Sequence, residues 1–80
     1  MDIIVGSVVK AKAGKDKNNF FVVTDILDEG YVLICDGKTH KLDKPKKKNI
    51  KHLQLTKTVL EIASDRKLRQ DLLAFKTEDN

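Results

Sequence analysis

Eighty residues, of which 40% are hydrophobic and 35% charged, suit one small soluble domain with a thin core. The longest apolar run, residues 31–35, is too short to span a membrane, and residues 1–5 carry no secretory signal. The net charge is +4, and because a lone cysteine cannot form an internal disulfide, a reducing cytoplasm is the simplest compartment.

The N-terminal part predicts strands separated by loops. Small apolar residues alternate with lysines within residues 7–13, which indicates a strand with one apolar face. Residues 14–19 are rich in types that tolerate left-handed backbone, so they predict a loop. Residues 20–27 are mostly aromatic and β-branched and give the strongest strand signal in the chain.

The middle of the chain predicts a hairpin, a loop and a closing strand. Residues 28–30 predict a tight turn and residues 31–35 the next strand. Asp36 and Gly37 can both take positive φ, so we expect residues 38–42 to return as a strand along residues 31–35. Residues 43–49 contain Pro45 and three successive lysines and predict an exposed loop. Residues 50–55 predict a last short strand or turn.

The C-terminal tail has helical spacing. One or two helical turns are expected around Val59, Ile62 and Ala63. Ser64 and Asp65 predict the N-cap of a second helix that runs from 65 to about 76. This helix carries an apolar stripe at positions i, i+4 and i+7, consisting of Leu68, Leu72 and Phe75. The stripe either packs against the rest of the domain or docks a protein partner.

The expected architecture is mainly β. Five short strands within about 50 residues are too few for a sandwich, and a small, strongly bent barrel removes exposed sheet edges. We therefore expect a five-stranded barrel over residues 1–58 and a helical C-terminal extension over residues 59–80.

Positive charge is concentrated in two short segments. Residues 38–52 hold seven lysines against one acid, and residues 10–17 hold four lysines against one acid. If the fold brings the two segments together, the domain has one basic face that attracts a polyanion. Because lysine is a point charge without the planar fork of arginine, such a face favours contacts with a nucleic-acid backbone over contacts with particular bases.

Residues 6–23 resemble the KOW motif, in which an apolar and basic strand leads through a glycine and a basic loop into a second apolar strand. KOW domains are small SH3-like barrels found in ribosomal large-subunit proteins and in transcription elongation factors. Residues 28–34 and 48–56 resemble the archaeal and eukaryotic L-fourteen-e group of large-subunit proteins. The chain is also similar to short bacterial KOW proteins described as RNA-binding. The resemblance covers roughly residues 4–62.

The resemblance implies a ribosome-associated protein, or a ribosomal protein homologue, that binds structured rRNA of the large subunit. It also implies that the first loop and the segment before the last strand lie on the same side of the barrel. Many KOW sequences have a glycine where this chain has Asn18, which also tolerates positive φ. The candidate RNA-binding residues are Lys10, Lys12, Gly14, Lys15, Lys17, Asn18, Lys44, Lys46, Lys47, Lys48, Lys51 and His52.

The sequence gives weaker support to other functions. Phe20 or Phe21 could stack on a base, although core packing is the usual role of such rings. Cys35 with the two histidines lacks the orienting group of a catalytic set and the fourth ligand of a zinc site. We expect no catalytic residue, cofactor or metal. The alternative function is a protein-interaction module of the transcription or translation machinery that uses the apolar stripe of the tail.

Overall fold

The computed structural model describes residues 3–78, and within that range the fold is mainly β, as the sequence predicts. Five antiparallel strands form one sheet, which an α-helix follows. The elements are β1 Ser7–Ala11, β2 Phe20–Ile26, β3 Tyr31–Cys35, β4 Lys46–Asn49, a 3₁₀ turn Ile50–His52, β5 Leu53–Val59 and α1 Asp65–Glu78. Over the described range, no helix has the length and apolar character needed to cross a membrane.

The sheet is curled into a small barrel. Its strand order is β4-β3-β2-β1-β5, so the two edge strands, β4 and β5, follow each other in sequence. A flat sheet of this size would hold its edges about 19 Å apart, at about 4.8 Å per neighbouring pair of strands. The 3₁₀ turn between β4 and β5 has three residues, and each advances only about 2 Å. The sheet must therefore bend until its edges approach each other.

The curled sheet encloses one apolar cluster and carries a second on its outer face. The inner cluster consists of Val9, Ala11, Phe21, Val23, Val32, Ile34 and Leu53. The outer cluster joins Val22 and Cys35 of the sheet to Leu68 of α1, and all three are fully buried. Because β2 lies between two apolar layers, Phe21, Val22 and Val23 are buried in succession although their side chains alternate in direction.

The loop between β1 and β2, residues 12–19, is closed at its base by backbone hydrogen bonds. The Asn18 N–H donates to the Ala11 carbonyl at 2.8 Å, and the Ala11 N–H donates to the Asn19 carbonyl at 3.0 Å. Gly14 has a φ of 85° and Asn18 a φ of 73°, the left-handed backbone that the sequence allows at both positions. The first strand therefore ends at Ala11, two residues before the predicted end.

The predicted strand over residues 38–42 is wrong, because this segment folds into turns. The Asp36 carboxylate accepts hydrogen bonds from the N–H groups of Lys38 and His40, both at 2.9 Å, so these amides bond locally. The fourth strand is β4, which lies in the segment predicted as a loop and pairs with β3 at one edge of the sheet. Lysines suit this position, since a charged edge resists pairing with other chains.

The predicted helical turns around Val59, Ile62 and Ala63 are also wrong. The last strand, expected within residues 50–55, begins at Leu53 after the 3₁₀ turn and continues to Val59, and residues 60–64 have no regular structure. In this extended segment, Leu60 and Ile62 pack against the outer cluster. Of the three residues with helical spacing, only Ile62 packs there, whereas Val59 and Ala63 are exposed.

The helix α1 begins where its N-cap predicts. The Ser64 hydroxyl accepts a hydrogen bond from the Lys67 N–H at 3.1 Å. The start of α1 lies so close to Gly37 that a Cβ added to this glycine would be 2.1 Å from the Asp65 carbonyl oxygen. Gly37, which has a φ of 77°, therefore permits both the turn after β3 and the approach of the helix.

Two of the three residues of the apolar stripe of α1 are buried. Leu68 is fully buried and Leu72 is only 6% exposed. The Phe75 ring lies 5.5 Å from the Phe20 ring, centroid to centroid. The stripe thus covers the outer face of the sheet.

Candidate nucleic-acid interface

The two basic segments contact each other at one end of the barrel. The Lys46 Nζ donates a hydrogen bond to the Asp16 carboxylate at 2.7 Å, and the Lys48 Nζ donates to the Ala13 carbonyl at 3.4 Å. These pairs are 30 and 35 residues apart in sequence. Successive residues of a strand point to opposite faces, so Lys46 and Lys48 share the face of β4 that meets the β1–β2 loop.

The 3₁₀ turn lies beside the same loop. The Lys12 N–H donates to the His52 carbonyl at 2.8 Å. The Asn49 side chain accepts a hydrogen bond from the Lys51 N–H at 2.9 Å and so caps the turn. The side chains of Lys51 and His52 are exposed. These segments form one surface, the basic end, which consists of Lys12, Gly14, Lys15, Lys17, Asn18, Lys46, Lys48, Lys51 and His52.

Two predicted residues lie elsewhere. Lys47 points to the opposite face of β4 from its neighbours, and its Nζ lies 4.7 Å from the centre of the Tyr31 ring. Lys10 lies on the outer face of β1, where its Nζ is 5.5 Å from the centre of the Phe20 ring. Lys44 is exposed in the turn that leads into β4 and lies two residues before Lys46. The basic end therefore excludes Lys10 and Lys47 and borders on Lys44.

Asp16 and His40 are parts of this site that the sequence analysis did not single out. The His40 Nε2 lies 3.6 Å from the same Asp16 oxygen that accepts the hydrogen bond from Lys46. This hydrogen bond lowers the pKa of Asp16 below its usual value, against a smaller opposing effect of burial, and nearby positive charge lowers it further. The available signal was an acid between two lysines, Lys15 and Lys17, inside a basic loop.

The lysines of the basic end fall into two groups. Lys46 and Lys48 are half-buried and bond to the β1–β2 loop. The other group is exposed and forms no ion pair with any side chain of residues 3–75; it consists of Lys12, Lys15, Lys17 and Lys51. Lys44 shares these properties. The exposed group can approach a polyanion without breaking an internal contact.

The aromatic rings considered for base stacking are already engaged. Phe21 is 1% exposed and belongs to the inner cluster. Phe20 is half-buried between the Phe75 ring and the ammonium of Lys10. The described rings therefore leave no open stacking platform beside the β1–β2 loop.

Cys35 is a buried residue of the outer cluster. Its side chain is fully buried, and its thiol donates to the Lys41 carbonyl at 3.3 Å. Burial raises the pKa of this thiol, so the thiolate form is disfavoured. Among the side chains of residues 3–75, no three of His, Cys, Asp or Glu are grouped as a metal ion would require.

Comparison with known proteins gives a ribosomal relative. Over 60 residues, the chain is 38% identical to a protein of the archaeon Pyrobaculum arsenaticum (strain DSM 13514 / JCM 11321 / PZ6), named "Large ribosomal subunit protein eL14". The predicted resemblance to the L-fourteen-e group is confirmed. The alignment covers 75% of this chain and 58% of the archaeal protein. No family model matches the chain, so the KOW motif itself stays a prediction.

Proposed function

We propose that this chain is a non-enzymatic RNA-binding protein that acts in the cytoplasm on the large ribosomal subunit and contacts structured rRNA through the basic end. The observation that supports this most is the contact between the β1–β2 loop and β4, because it merges two basic segments into one surface. The similarity to an archaeal large-subunit protein supports ribosomal RNA as the partner.

The proposed mechanism is electrostatic. The exposed lysines of the basic end release counterions from the phosphates that they neutralise, and this release favours binding. Their ammonium groups act as point charges, so the contacts fix the position of the RNA backbone and read its shape. Gly14 supports such an approach, since its position carries no side chain and is exposed.

The two parts of the chain have different proposed roles. The barrel, whose last strand ends at Val59, presents the basic end. The helix α1 closes the outer face of the sheet, and its Leu68 and Leu72 are buried. Burial of the apolar stripe weighs against the alternative that this stripe is the docking surface of a protein-interaction module.

A salt titration of RNA binding tests the proposal. Each neutralised phosphate contributes a slope of about −0.7 to −0.9 in a plot of log affinity against log salt concentration. If Lys12, Lys15, Lys17, Lys44 and Lys51 each neutralise one phosphate, the expected slope is about −3.5 to −4.5. Filter binding to large-subunit rRNA fragments at several salt concentrations gives this number, and a slope near zero contradicts the proposal.

A pair of variants locates the surface. Lys15→Ala removes one exposed charge from the basic end, and the slope should become shallower by about 0.7 to 0.9. Lys57→Ala is the matched control, because Lys57 is also exposed but lies on β5 four residues beyond Leu53, about 13 Å further along the strand. The control should leave the slope nearly unchanged. Equal effects of both substitutions would indicate attraction by net charge without a defined site.

A further inference from the structure

A carboxylate lies in the middle of the basic end. The Asp16 side chain is only 16% exposed, and its Oδ2 atom is 2.7 Å from the Lys46 Nζ and 3.6 Å from the His40 Nε2. These partners come from β4 and from the turn after β3. The β1–β2 loop therefore meets two neighbouring parts of the stretch after β3 at one carboxylate oxygen.

The attraction of a polyanion does not explain why an acid lies within this basic surface. An aspartate at the centre of a basic surface cancels one positive charge and repels phosphate. It also holds Lys46 in an internal ion pair. The contribution of Asp16 to RNA binding, if it has one, must therefore come from the geometry that it imposes.

We propose that Asp16 is a positioning residue for RNA binding, which clasps the β1–β2 loop to β4 so that the exposed lysines keep a fixed spacing. This inference rests on the proposed function. The loop between its closed base and Asp16 carries Lys12 and Lys15, and Lys17 follows at once. A clasp at Asp16 therefore fixes the part of the loop that bears these charges.

The clasp has a second point of attachment on the same strand. The Lys48 Nζ donates to the Ala13 carbonyl at 3.4 Å, and a Cβ at Gly14 would be 3.5 Å from that ammonium. Lys46 and Lys48 hold the two sides of one turn in this way. In this arrangement, Lys46 organises the surface and the exposed lysines contact the phosphates.

Removal of the acid gives opposite results under the two explanations. Asp16→Asn raises the net charge by one, so attraction by charge alone predicts tighter RNA binding and a steeper salt slope as Lys46 becomes available. The clasp predicts weaker binding, by about threefold to tenfold, because the loop lysines must be ordered when RNA binds. The measurement is the RNA affinity at one fixed salt concentration.

Asp43→Asn is the matched control. Asp43 is an exposed acid in the turn before β4, and its side chain forms no hydrogen bond or ion pair with any residue in the described range. Its substitution adds the same charge without opening the clasp, and binding should be equal to or slightly tighter than that of the unaltered protein. The inference is overturned if Asp16→Asn binds RNA as tightly as Asp43→Asn.

A double-mutant cycle separates positioning from direct contact. Lys46→Met breaks the same ion pair from the other side, so both single variants and the double variant should lose affinity to a similar extent. If Lys46 contacts phosphate directly, Lys46→Met weakens binding and Asp16→Asn strengthens it. Opposite signs therefore overturn the inference, and equal, non-additive losses support it.

Amide hydrogen exchange in the free protein tests the clasp without RNA. Residues 12–19 should exchange faster in Asp16→Asn than in Asp43→Asn, with β2 and β3 unchanged in both, which also verifies that the variants fold. If the unaltered protein fails to bind RNA, the proposed function fails while this comparison still decides whether the clasp exists. Unchanged exchange in the loop overturns the inference.

Discussion

The substitution Leu68→Ala tests whether α1 is an integral part of the folded domain. Leu68 is fully buried and packs with Val22 and Cys35, and the partly buried Leu42 and Leu60 surround this cluster. Removal of the side chain leaves a cavity between the helix and the outer face of the sheet. Val22 and Cys35 belong to strands held by pairing, so they can move into that cavity only in part.

The expected loss is large for a chain of this size. Replacing a fully buried leucine with alanine costs about 2 to 5 kcal/mol. A domain of 80 residues has a total stability of about 4 to 12 kcal/mol. A loss of about 3 kcal/mol would lower the melting temperature by roughly 12 to 24 °C. The variant should therefore be partly unfolded near 37 °C if the parent domain lies at the lower end of that range.

Thermal and urea unfolding, followed by circular dichroism, measure the effect. Leu73→Ala is the matched control, because Leu73 is on the same helix but is 62% exposed, and its substitution should cost less than about 1 kcal/mol. Strand and helix signals should unfold together in the unaltered protein. If Leu68→Ala costs no more than Leu73→Ala, the packing of α1 onto the barrel contributes little and the reasoning is refuted.

Three further predictions concern the stability and accessibility of single residues. Gly37→Ala should strongly destabilise the folded protein, since its Cβ would be 2.1 Å from the Asp65 carbonyl oxygen. Gly30→Ala is the control, because a Cβ there would meet nothing within 4 Å and should cost only the strain of its positive φ. Similar losses of stability in the two variants would contradict this. The pKa of Asp16 is lowered from 3.8, so its stabilising effect is present above about pH 5 and is lost as the pH falls through the folded-state value. Unfolding curves of the parent and Asp16→Asn should accordingly converge as the pH falls below the folded-state pKa of Asp16, and a constant difference would refute the linkage. Cys35 should react with iodoacetamide only after unfolding, because burial covers the thiol and raises its pKa; rapid labelling of the native protein would contradict this.

The sequence predicts those parts of the fold where local pattern and tertiary structure agree. The strand Tyr31–Cys35 and the N-cap at Ser64 lie where the pattern places them. Each rests on a strong local signal, a run of β-rich residues in one case and a capping hydroxyl in the other. The left-handed backbone at Asn18 is likewise a property of the residue itself.

The sequence fails where a segment takes its structure from a distant partner. β4 has the sequence of a solvated loop, and it becomes a strand because the exposed edge of β3 offers hydrogen bonds to it. The clasp at Asp16 has the same origin, since no local pattern links this residue to Lys46, 30 residues away. Residues 38–42 show the reverse case. Their sequence predicts a hairpin strand, but the N–H groups of Lys38 and His40 donate hydrogen bonds to the nearby Asp36 carboxylate.

The central claim is that two separate basic segments form one RNA-binding surface. Its most direct test is ultraviolet cross-linking of the protein to RNA in ribosome-containing cell extracts, followed by mass spectrometry of the peptides that retain a nucleotide. The account predicts adducts in both residues 12–18 and residues 44–52, attached to large-subunit rRNA. Adducts confined to α1, or to one of the two segments alone, would contradict it.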